Sequence, residues 1–489
     1  MSTTVLKAPG VGARAISPPR PDPVRWGPLL VVLAGTFVTI LDFFIVNVAI
    51  PPIQRDLHAG SAAVQFVLAG YALTLAAGLI TGGRLGDLYG RRRLFGLGLA
   101  AFTVASAACG LAPSSGALIA ARVLQGAAAA ALTPQVLAIL GTVYTGPHRA
   151  RAFAAYGLTL GLAGVFGQLI GGALIAANIA GLGWRSIFLV NVPIGVVALA
   201  LTRRVVPESR DESSARLDLV SSALLTAALV AIVLPLIEGR QQGWPSWTWL
   251  SLTAAPLLVA LFVAYQARLS AGGRAPLLNL ELFKERAFSA GLATCLTFFL
   301  ANGSFFLFLA LYLQQGRGLS ALDSGLVFIA VGIGFFAALL QAERVAAKLR
   351  RQILAVGSLT TGGGYALLAA SVTHIGTSGS VAWLIPGLLI TGFGLGLVLV
   401  PLTDIVLARI TPRHAGAAAG VLATAQQLGG ALGIAVIGVV YYGSLKGLQP
   451  ASHAHAFTLS LAILTVFTII AAALVQLLPS TTTAQSDSA

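Results

Sequence analysis

Charged residues are scarce in this chain. Asp, Glu, Lys and Arg together make up only 9% of its 489 residues, whereas 57% are hydrophobic and the mean hydropathy is +0.89. Soluble domains carry about 25% charged residues, so this scarcity excludes a soluble globular protein of this size. The composition predicts an all-α protein that crosses a membrane many times.

Cysteine is nearly absent as well. Cys109 and Cys295 are the only two, and both lie inside apolar runs that oxidising enzymes do not reach, so no disulfide framework is expected. The histidines are few and scattered. Their one close pair, His453 and His455, has no cysteine or carboxylate company, and the sequence therefore predicts no metal site.

The sequence motifs of common enzymes are missing too. Gly-x-Ser-x-Gly, His-Glu-x-x-His and the dinucleotide-binding glycine pattern do not occur. None of the lysines precedes Ser or Thr, which excludes a Walker A site and therefore ATP as the energy source within this chain. We expect no enzyme activity, no catalytic residue and no cofactor, and a proton gradient as the source of energy.

Apolar stretches of about 20 residues predict the membrane-spanning helices. Fourteen such stretches occur, at residues 28–50, 64–83, 94–112, 116–140, 152–177, 185–202, 219–237, 247–266, 287–313, 324–341, 353–372, 383–404, 413–442 and 456–478. They predict six, then two, then six helices. The expected parts are a disordered cytoplasmic tail (1–26), an N-terminal six-helix bundle (27–206), two inserted helices (217–267), a C-terminal six-helix bundle (287–478) and a cytoplasmic tail (479–489).

The positions of the basic residues orient these helices. The net charge is +15, yet few of the 30 Lys and Arg residues fall in the loops of one side, namely Arg55, Arg185, Arg240, Arg317 and Lys446. This asymmetry predicts that both termini are cytoplasmic. Basic residues spread over many cytoplasmic segments suit anionic lipid headgroups, which argues against nucleic acid as a partner.

Residues 82–93 form a short polar turn between two spans, with the sequence Gly-Gly-Arg-Leu-Gly-Asp-Leu-Tyr-Gly-Arg-Arg-Arg. Its glycines allow helix ends to approach closely, and its single acid faces a basic cluster. We predict a conformational latch made of Gly83, Asp87, Gly90, Arg91 and Arg92. The alternative is an ordinary Arg-rich flank of a spanning helix.

The turn resembles the loop between helices 2 and 3 of the major facilitator superfamily. Further motifs are similar to its fourteen-helix drug:proton antiporters: Leu41-Asp42-x-x-Ile45-Val46-Asn47-Val48-Ala49-Ile50-Pro51, Arg122-x-x-Gln125-Gly126 and Gly183-Trp184-Arg185-x-Ile187-Phe188-x-Val190-Asn191-x-Pro193. The resemblance covers residues 27–478. One signature departs from the family, because Gly167-Gln168-Leu169-Ile170-Gly171-Gly172 stands where the family has Gly-Pro-x-x-Gly-Gly.

The resemblance implies a multi-pass transporter in the cell membrane (inner or plasma membrane) of a bacterium. It would exchange protons for hydrophobic or cationic small molecules, such as drugs or natural products, and would confer antibiotic resistance. The resemblance also implies that Asp87 contacts the start of the thirteenth helix near Pro412. Gln168 leaves import or uniport open, and a non-transporting channel or structural membrane protein is the alternative of another class. The oligomeric state is left open, and a monomer fits the sequence.

Ionisable residues inside a span are costly, so each is a functional hypothesis. Asp42 and Arg122 lie at matching depths, about 10 to 12 Å below the outer surface at 1.5 Å per residue. Tyr71 falls at the same level, and Gln125 lies one turn deeper. We predict a polar cluster that faces a cavity, with Asp42 and Arg122 in proton coupling and the other two contacting substrate. A structural ion pair between helices 1 and 4 is the alternative.

An internal repeat extends this prediction to the second half. Aligning Gly171 with Gly429 pairs Gln168 with Gln426. Asn302 lies as far into the ninth span as Asp42 lies into the first, which predicts that both line one central cavity. Gln168, Asn302 and Gln426 are therefore expected to contact substrate. Five phenylalanines of the ninth span are candidates for an aromatic wall: Phe298, Phe299, Phe305, Phe306 and Phe308.

Overall fold

The computed structural model describes residues 26–210, 218–272, 276–278, 280–408, 410, 415–447 and 449–479. Nearly all of both predicted tails, position 217 at the start of the inserted pair, and Pro412 lie outside the described residues. Within the described ranges, fourteen helices are long and apolar enough to cross a membrane, as predicted.

The helices follow one another with short connections. Their bounds are α1 Trp26–Leu57, α2 Ser61–Tyr89, α3 Arg91–Gly110, α4 Ser115–Val143, α5 Gly146–Ala177, α6 Gly183–Val205, α7 Leu219–Glu238, α8 Ser246–Ala271, α9 Arg286–Gly316, α10 Ala321–Leu349, α11 Gln352–Ile375, α12 Val381–Leu407, α13 Ala415–Ser444 and α14 Pro450–Val475. Side chains cap several starts: the Ser114 hydroxyl accepts from the Ala117 amide (3.2 Å), and Asp218 and Ser320 cap α7 and α10.

The helices form two six-helix bundles, α1–α6 and α9–α14. The bundles meet mainly along three helix pairs, α1 with α9, α2 with α13, and α5 with α10, and α1 also touches α10. Glycine brings these backbones close, since a Cβ on Gly172 would lie 2.4 Å from the Ala321 carbonyl oxygen. We call the side with the α2–α3 turn the inner side. Its assignment to the cytoplasm stays a prediction.

The inserted helices cover one of these contacts. α7 packs against both α2 and α13, so it lies along the line where the bundles meet, and α8 packs on α7. The hydroxyls of Thr81 and Ser222 are 2.6 Å apart, which ties α7 to α2 near the inner side. At the outer end the Gln241 side-chain amide lies 2.7 Å from the Ser61 hydroxyl. Polar contacts at both ends thus attach α7 to the N-terminal bundle.

The two bundles repeat one packing, but not in the predicted register. A Cβ on Gly167 would contact Leu41, Phe44 and Ile45 of α1, and a Cβ on Gly429 would contact Leu296, Phe299 and Leu300 of α9. Gly171 on Ile45 and Gly433 on Leu300 continue the same correspondence.

Gly429 is therefore equivalent to Gly167, one turn away from the predicted match with Gly171. The pairing of Gln168 with Gln426 is wrong. In the observed register Asn302 corresponds to Asn47, and Asp42 corresponds to Thr297, so the predicted equivalence of Asn302 and Asp42 is wrong as well.

Candidate functional site

The Asp42 carboxylate lies at the centre of the N-terminal bundle and is fully buried. Its Oδ1 accepts hydrogen bonds from Gln125 Nε2 (2.9 Å) and Asn191 Nδ2 (3.0 Å). Its Oδ2 forms an ion pair with Arg122 Nη1. Because a lone buried charge is very costly, three donors around one carboxylate make the charged form tolerable here.

The Arg122 guanidinium is fully buried too and is held on several sides. Its Nε donates to the Val67 carbonyl (2.9 Å) and its Nη1 to Gln125 Oε1 (2.8 Å). The cation lies 4.3 Å from the centre of the Tyr71 ring. Its Nη2 has no hydrogen-bond partner among the described residues. Arg122 therefore keeps several contacts that do not depend on Asp42.

Two small polar residues complete this network. Asn191 Nδ2 also lies 3.1 Å from the Ser106 hydroxyl, which donates to the Phe188 carbonyl (2.8 Å). Asn191 lies on α6 and directs its amide at both the Asp42 carboxylate and the Ser106 hydroxyl. Ser106 was not predicted as a site residue, and Asn191 was noted only as part of a motif. The signal for Asn191 in the sequence was an amide between apolar residues inside a span.

The predicted cluster of Asp42, Tyr71, Arg122 and Gln125 is thus brought together, by α1, α2 and α4. Tyr71 contributes its ring, whereas its hydroxyl donates to the Thr39 carbonyl at 3.3 Å. Each of the four side chains is at most 1% exposed, so in this structure none borders open space.

Asn302 occupies an enclosed position in the C-terminal bundle. Its Nδ2 donates to the Phe298 carbonyl (2.7 Å), and its Oδ1 accepts from the Tyr365 hydroxyl of α11 (2.7 Å). Only 5% of Asn302 is exposed. Its amide thus serves an interhelical hydrogen bond. Gln426 is half-buried in α13.

The inner turn between α2 and α3 is held by hydrogen bonds to nearby residues of the N-terminal bundle. Asp87 Oδ1 accepts from Arg91 Nε (3.1 Å) and Nη2 (2.8 Å), one helical turn on. Gly90 has a φ of 106°, which favours glycine. Glu208, at the end of the N-terminal bundle, accepts from the Arg92 amide (3.0 Å) and was missed. The expected contact of Asp87 near Pro412 falls outside the described residues.

A glycine allows α2 to pack closely against α4 at this end, but that glycine is not the predicted Gly83. A Cβ on Gly82 would lie 2.1 Å from the Ala130 carbonyl oxygen of α4, whereas one on Gly83 would meet only Pro134 at 3.7 Å. The neighbouring Gly82 therefore makes the close approach that we predicted for the turn.

Aromatic rings run from this network to the other bundle. The ring of Tyr71 lies 6.1 Å from that of Phe43, and Phe43 lies 5.1 Å from Phe44. Phe44 of α1 meets Phe306 of α9 at 5.2 Å, edge to face. Of the ninth-span phenylalanines, Phe306 therefore lies at the bundle interface. Phe298, Phe305 and Phe308 are fully buried core residues.

The bundles are also hydrogen-bonded near the outer side. α9 ends in a π-helical turn, Tyr312–Gly316. Its Gln314 donates to the Val48 carbonyl of α1 (2.9 Å), and Gln315 donates to Gln54 Oε1 (2.8 Å). π turns are frequent at functional sites. Opening the outer side requires both hydrogen bonds to break.

Comparisons with known proteins agree with this architecture. The chain is 36% identical to the "Probable actinorhodin transporter" of Streptomyces coelicolor over 451 residues. This alignment covers 91% of this chain and 77% of the relative. It is 33% identical to the "Puromycin resistance protein pur8" of Streptomyces alboniger, over 96% of this chain and 94% of the relative. It is 32% identical to the "Tetracenomycin C resistance and export protein" of Streptomyces glaucescens, over 88% and 78%.

Among solved structures, the fold matches a bacterial homologue of the human lysosomal transporter Spinster in an inward-facing, occupied conformation. The TM-score is 0.66 at 17% identity, over 94% of this chain and 97% of the other, which supports the fold alone. The model of the Major Facilitator Superfamily matches residues 32–434. This chain is a multi-pass membrane protein and belongs to the Major Facilitator Superfamily, a family of transporters and not of enzymes.

Proposed function

We propose that this protein exports hydrophobic or cationic small molecules across the cell membrane in exchange for protons. The observation that carries the proton coupling is the buried Asp42–Arg122 pair with its two amide donors. Relatives named for antibiotic transport, resistance and export support the direction. Protons and the transported molecule are then its partners, together with the surrounding lipids.

The geometry suggests how a proton could change the bundle. Protonation of Asp42 cancels its attraction to Arg122, while Arg122 keeps the Val67 carbonyl, Gln125 and the Tyr71 ring. The cation would therefore stay with α2 and α4, and α1 would lose its ion pair with α4 and keep only the weaker neutral hydrogen bonds to Asp42. Because Phe43 and Phe44 follow Asp42 on α1, a shift of this helix reaches the interface with α9. Proton binding and bundle movement are coupled in this way.

The inner turn has a second role in the proposal. Asp87, Gly90, Arg91 and Arg92 would act as a latch that favours one conformation, and the predicted contact near Pro412 would join it to the C-terminal bundle. Asp87 pairs with Arg91 and Arg92 pairs with Glu208, so the turn is already a rigid unit. The turn would then affect the balance between the two conformations without contacting substrate.

Transport in inverted membrane vesicles tests the proposal. Vesicles carrying the wild-type protein should accumulate rhodamine 6G when their interior is acidified, because export in the cell is uptake in an inverted vesicle. Asp42→Asn, which keeps the shape and removes the titratable group, should abolish the dependence on the pH gradient. Asp56→Asn is the matched control, since this carboxylate ends the same helix in contact with Trp184 (2.9 Å).

Wild-type vesicles that release the dye faster when acidified inside would indicate import. Accumulation that ignores the gradient would indicate uniport, and no flux of the dye or of other hydrophobic and cationic probes would contradict export of this substrate class. An Asp42→Asn protein that inserts normally and still follows the gradient would remove Asp42 from the mechanism.

A further inference from the structure

Gln168 is a buried amide at the contact between the bundles. It is 0% exposed, and neither its Oε1 nor its Nε2 has a hydrogen-bond partner among the described residues. Buried amides almost always find partners, because leaving both atoms unpaired is costly. A structure that keeps Gln168 in this state therefore points to a missing partner.

The direction of the Gln168 side chain follows from its neighbours on α5. A Cβ on Gly164 or Gly167 would meet Phe44 of α1, so these positions face α1. A Cβ on Gly172 would meet Ala321, and Val165 lies against Gly332, so those positions face α10. At 100° per residue Gln168 falls between the two faces. Its amide therefore points into the wedge between α1 and α10.

A second unpaired group lies on α10, one of the two helices that form this wedge. The Ser324 hydroxyl of α10 is 0% exposed and has no hydrogen-bond partner among the described residues. It lies at the level of Gln168, because a Cβ on the adjacent Gly325 would be 2.7 Å from the Gln168 carbonyl oxygen. An amide and a hydroxyl, each with unused donor and acceptor capacity, thus lie in one layer on facing helices.

Aromatic rings from both bundles form the apolar part of the wedge. Phe306 lies 5.2 Å from Phe44 of the other bundle and 6.0 Å from Phe328, with the planes of the second pair only 16° apart. Phe44 and Phe306 are only half-buried although they meet at the bundle interface. The rings of both bundles therefore meet here without being fully buried.

We propose that Gln168, Ser324, Phe44, Phe306 and Phe328 form a binding site for an uncharged, planar aromatic molecule that carries carbonyl or hydroxyl groups. The rings would pack against the aromatic plane, and the amide and hydroxyl would bond its oxygen atoms. None of these five side chains is ionisable in the usual pH range, so the site selects for neutral polar groups. We call it the wedge site. This inference rests on the proposed export function and names one substrate class for it.

The location of the wedge site suits a transport cycle. Its rings come from α1, α9 and α10, so the site is complete only while Phe44 and Phe306 are together. Separation of the bundles at this level would divide it. The two conformations would therefore differ in affinity, which is the condition for a ligand to shift their populations.

Direct binding to the purified full-length protein in lipid nanodiscs tests the wedge site without a proton gradient. The probe is 1,8-dihydroxyanthraquinone, a neutral planar molecule with carbonyl and hydroxyl groups, followed by its fluorescence. Anthracene, which has the same three fused rings and no oxygen, is the matched probe. Empty nanodiscs correct for partition into lipid.

Gln168→Leu should weaken binding of the anthraquinone about tenfold, and Ser324→Ala by a smaller factor. Anthracene binding should change less than twofold in both variants, because it makes no hydrogen bond. Phe306→Leu should weaken both probes. Gln341→Leu is the control, since this exposed glutamine lies near the other end of α10 and bonds only the Ala337 carbonyl of its own helix.

Equal affinity of wild type and Gln168→Leu for the anthraquinone would overturn the wedge site and would mean that water alone satisfies the amide. An equal loss of both probes in Gln168→Leu would also overturn it, as the effect would then be one of shape. Circular dichroism and gel filtration exclude a folding defect as the cause. Failure of the export proposal would appear separately, as a lack of gradient-driven dye flux in vesicles of the wild type.

Discussion

The two bundles share their packing and differ in their charges. Gly167 of α5 packs against α1 in the same way as Gly429 of α13 packs against α9. Yet the position that Asp42 holds in α1 is taken by Thr297 in α9. Thr297 only bonds the Ala293 carbonyl of its own helix (2.9 Å). Among the side chains that the structure describes, the buried Asp, Glu, Lys and Arg residues are Asp42 and Arg122 alone. The comparison shows that the same helix packing can hold a buried ion pair, as in the N-terminal bundle, or only neutral side chains at the equivalent position, as in the C-terminal bundle.

The two flanks where the bundles meet differ in a similar way. α7 covers the α2–α13 contact, whereas the α5–α10 contact carries an apolar groove of about 340 Å³. The lining residues include Val165, Phe166, Ile333 and Leu340. The inserted helices therefore make the molecule asymmetric about its repeat, because they cover one of the two flanks and leave the other uncovered.

Removing the cation should have the largest effect. Arg122→Met leaves the Asp42 carboxylate buried with only its two amide donors, and breaking such a pair costs about 3–5 kcal/mol. The free energy of unfolding in bicelles measures this loss. The double variant with Asp42→Asn should recover much of it, because no charge remains. A single variant as stable as the wild type would show that the N-terminal bundle does not depend on the pair.

Asp87→Asn should leave binding intact and reduce turnover. The change removes the charge that Arg91 contacts at 2.8 Å and weakens the latch, but it touches no part of the buried network. Substrate affinity of the detergent-purified protein and the rate of transport in vesicles separate the two effects. Parallel loss of affinity and rate would argue against a latch.

Equivalent glycines should both be sensitive to an added methyl group, and the loss should be larger in the C-terminal bundle, where the methyl group meets backbone. A Cβ on Gly171 would lie 2.7 Å from Ile45 Cγ1, and one on Gly433 would lie 2.2 Å from the Leu300 carbonyl oxygen. Gly171→Ala and Gly433→Ala should each cost about 1–3 kcal/mol of unfolding free energy by overpacking. Gly157→Ala, with open space around its Cβ position, is the control. A loss at either glycine as small as that of Gly157→Ala would contradict the structural equivalence.

The smallest effect is expected at the neutral network. Tyr365→Phe removes the 2.7 Å hydrogen bond to Asn302. Interhelical hydrogen bonds of this kind average about 0.6 kcal/mol in membranes. Unfolding in bicelles should show a loss near this value, and the pH dependence of transport should not move. A shifted pH profile would place titration in the C-terminal bundle as well.

The sequence predicts the fourteen helices and the Asp42–Arg122–Gln125 cluster because costly charges in apolar helices have few arrangements at equal depth. It does not reveal the contribution of Ser106, since small neutral residues are common in spanning helices. It misplaces the repeat by one turn because glycines recur every four residues in α5 and in α13, and both registers then match equally well. Only the contacts with α1 and α9 distinguish them.

The central claim, that proton exchange takes place at Asp42 in the N-terminal bundle, can be tested by counting protons. Substrate added to the purified protein in weakly buffered solution should release protons from the wild type and from Asp56→Asn. Asp42→Asn should bind the same substrate without release. Undiminished proton release from Asp42→Asn would contradict the account and would place the exchanged proton on another residue.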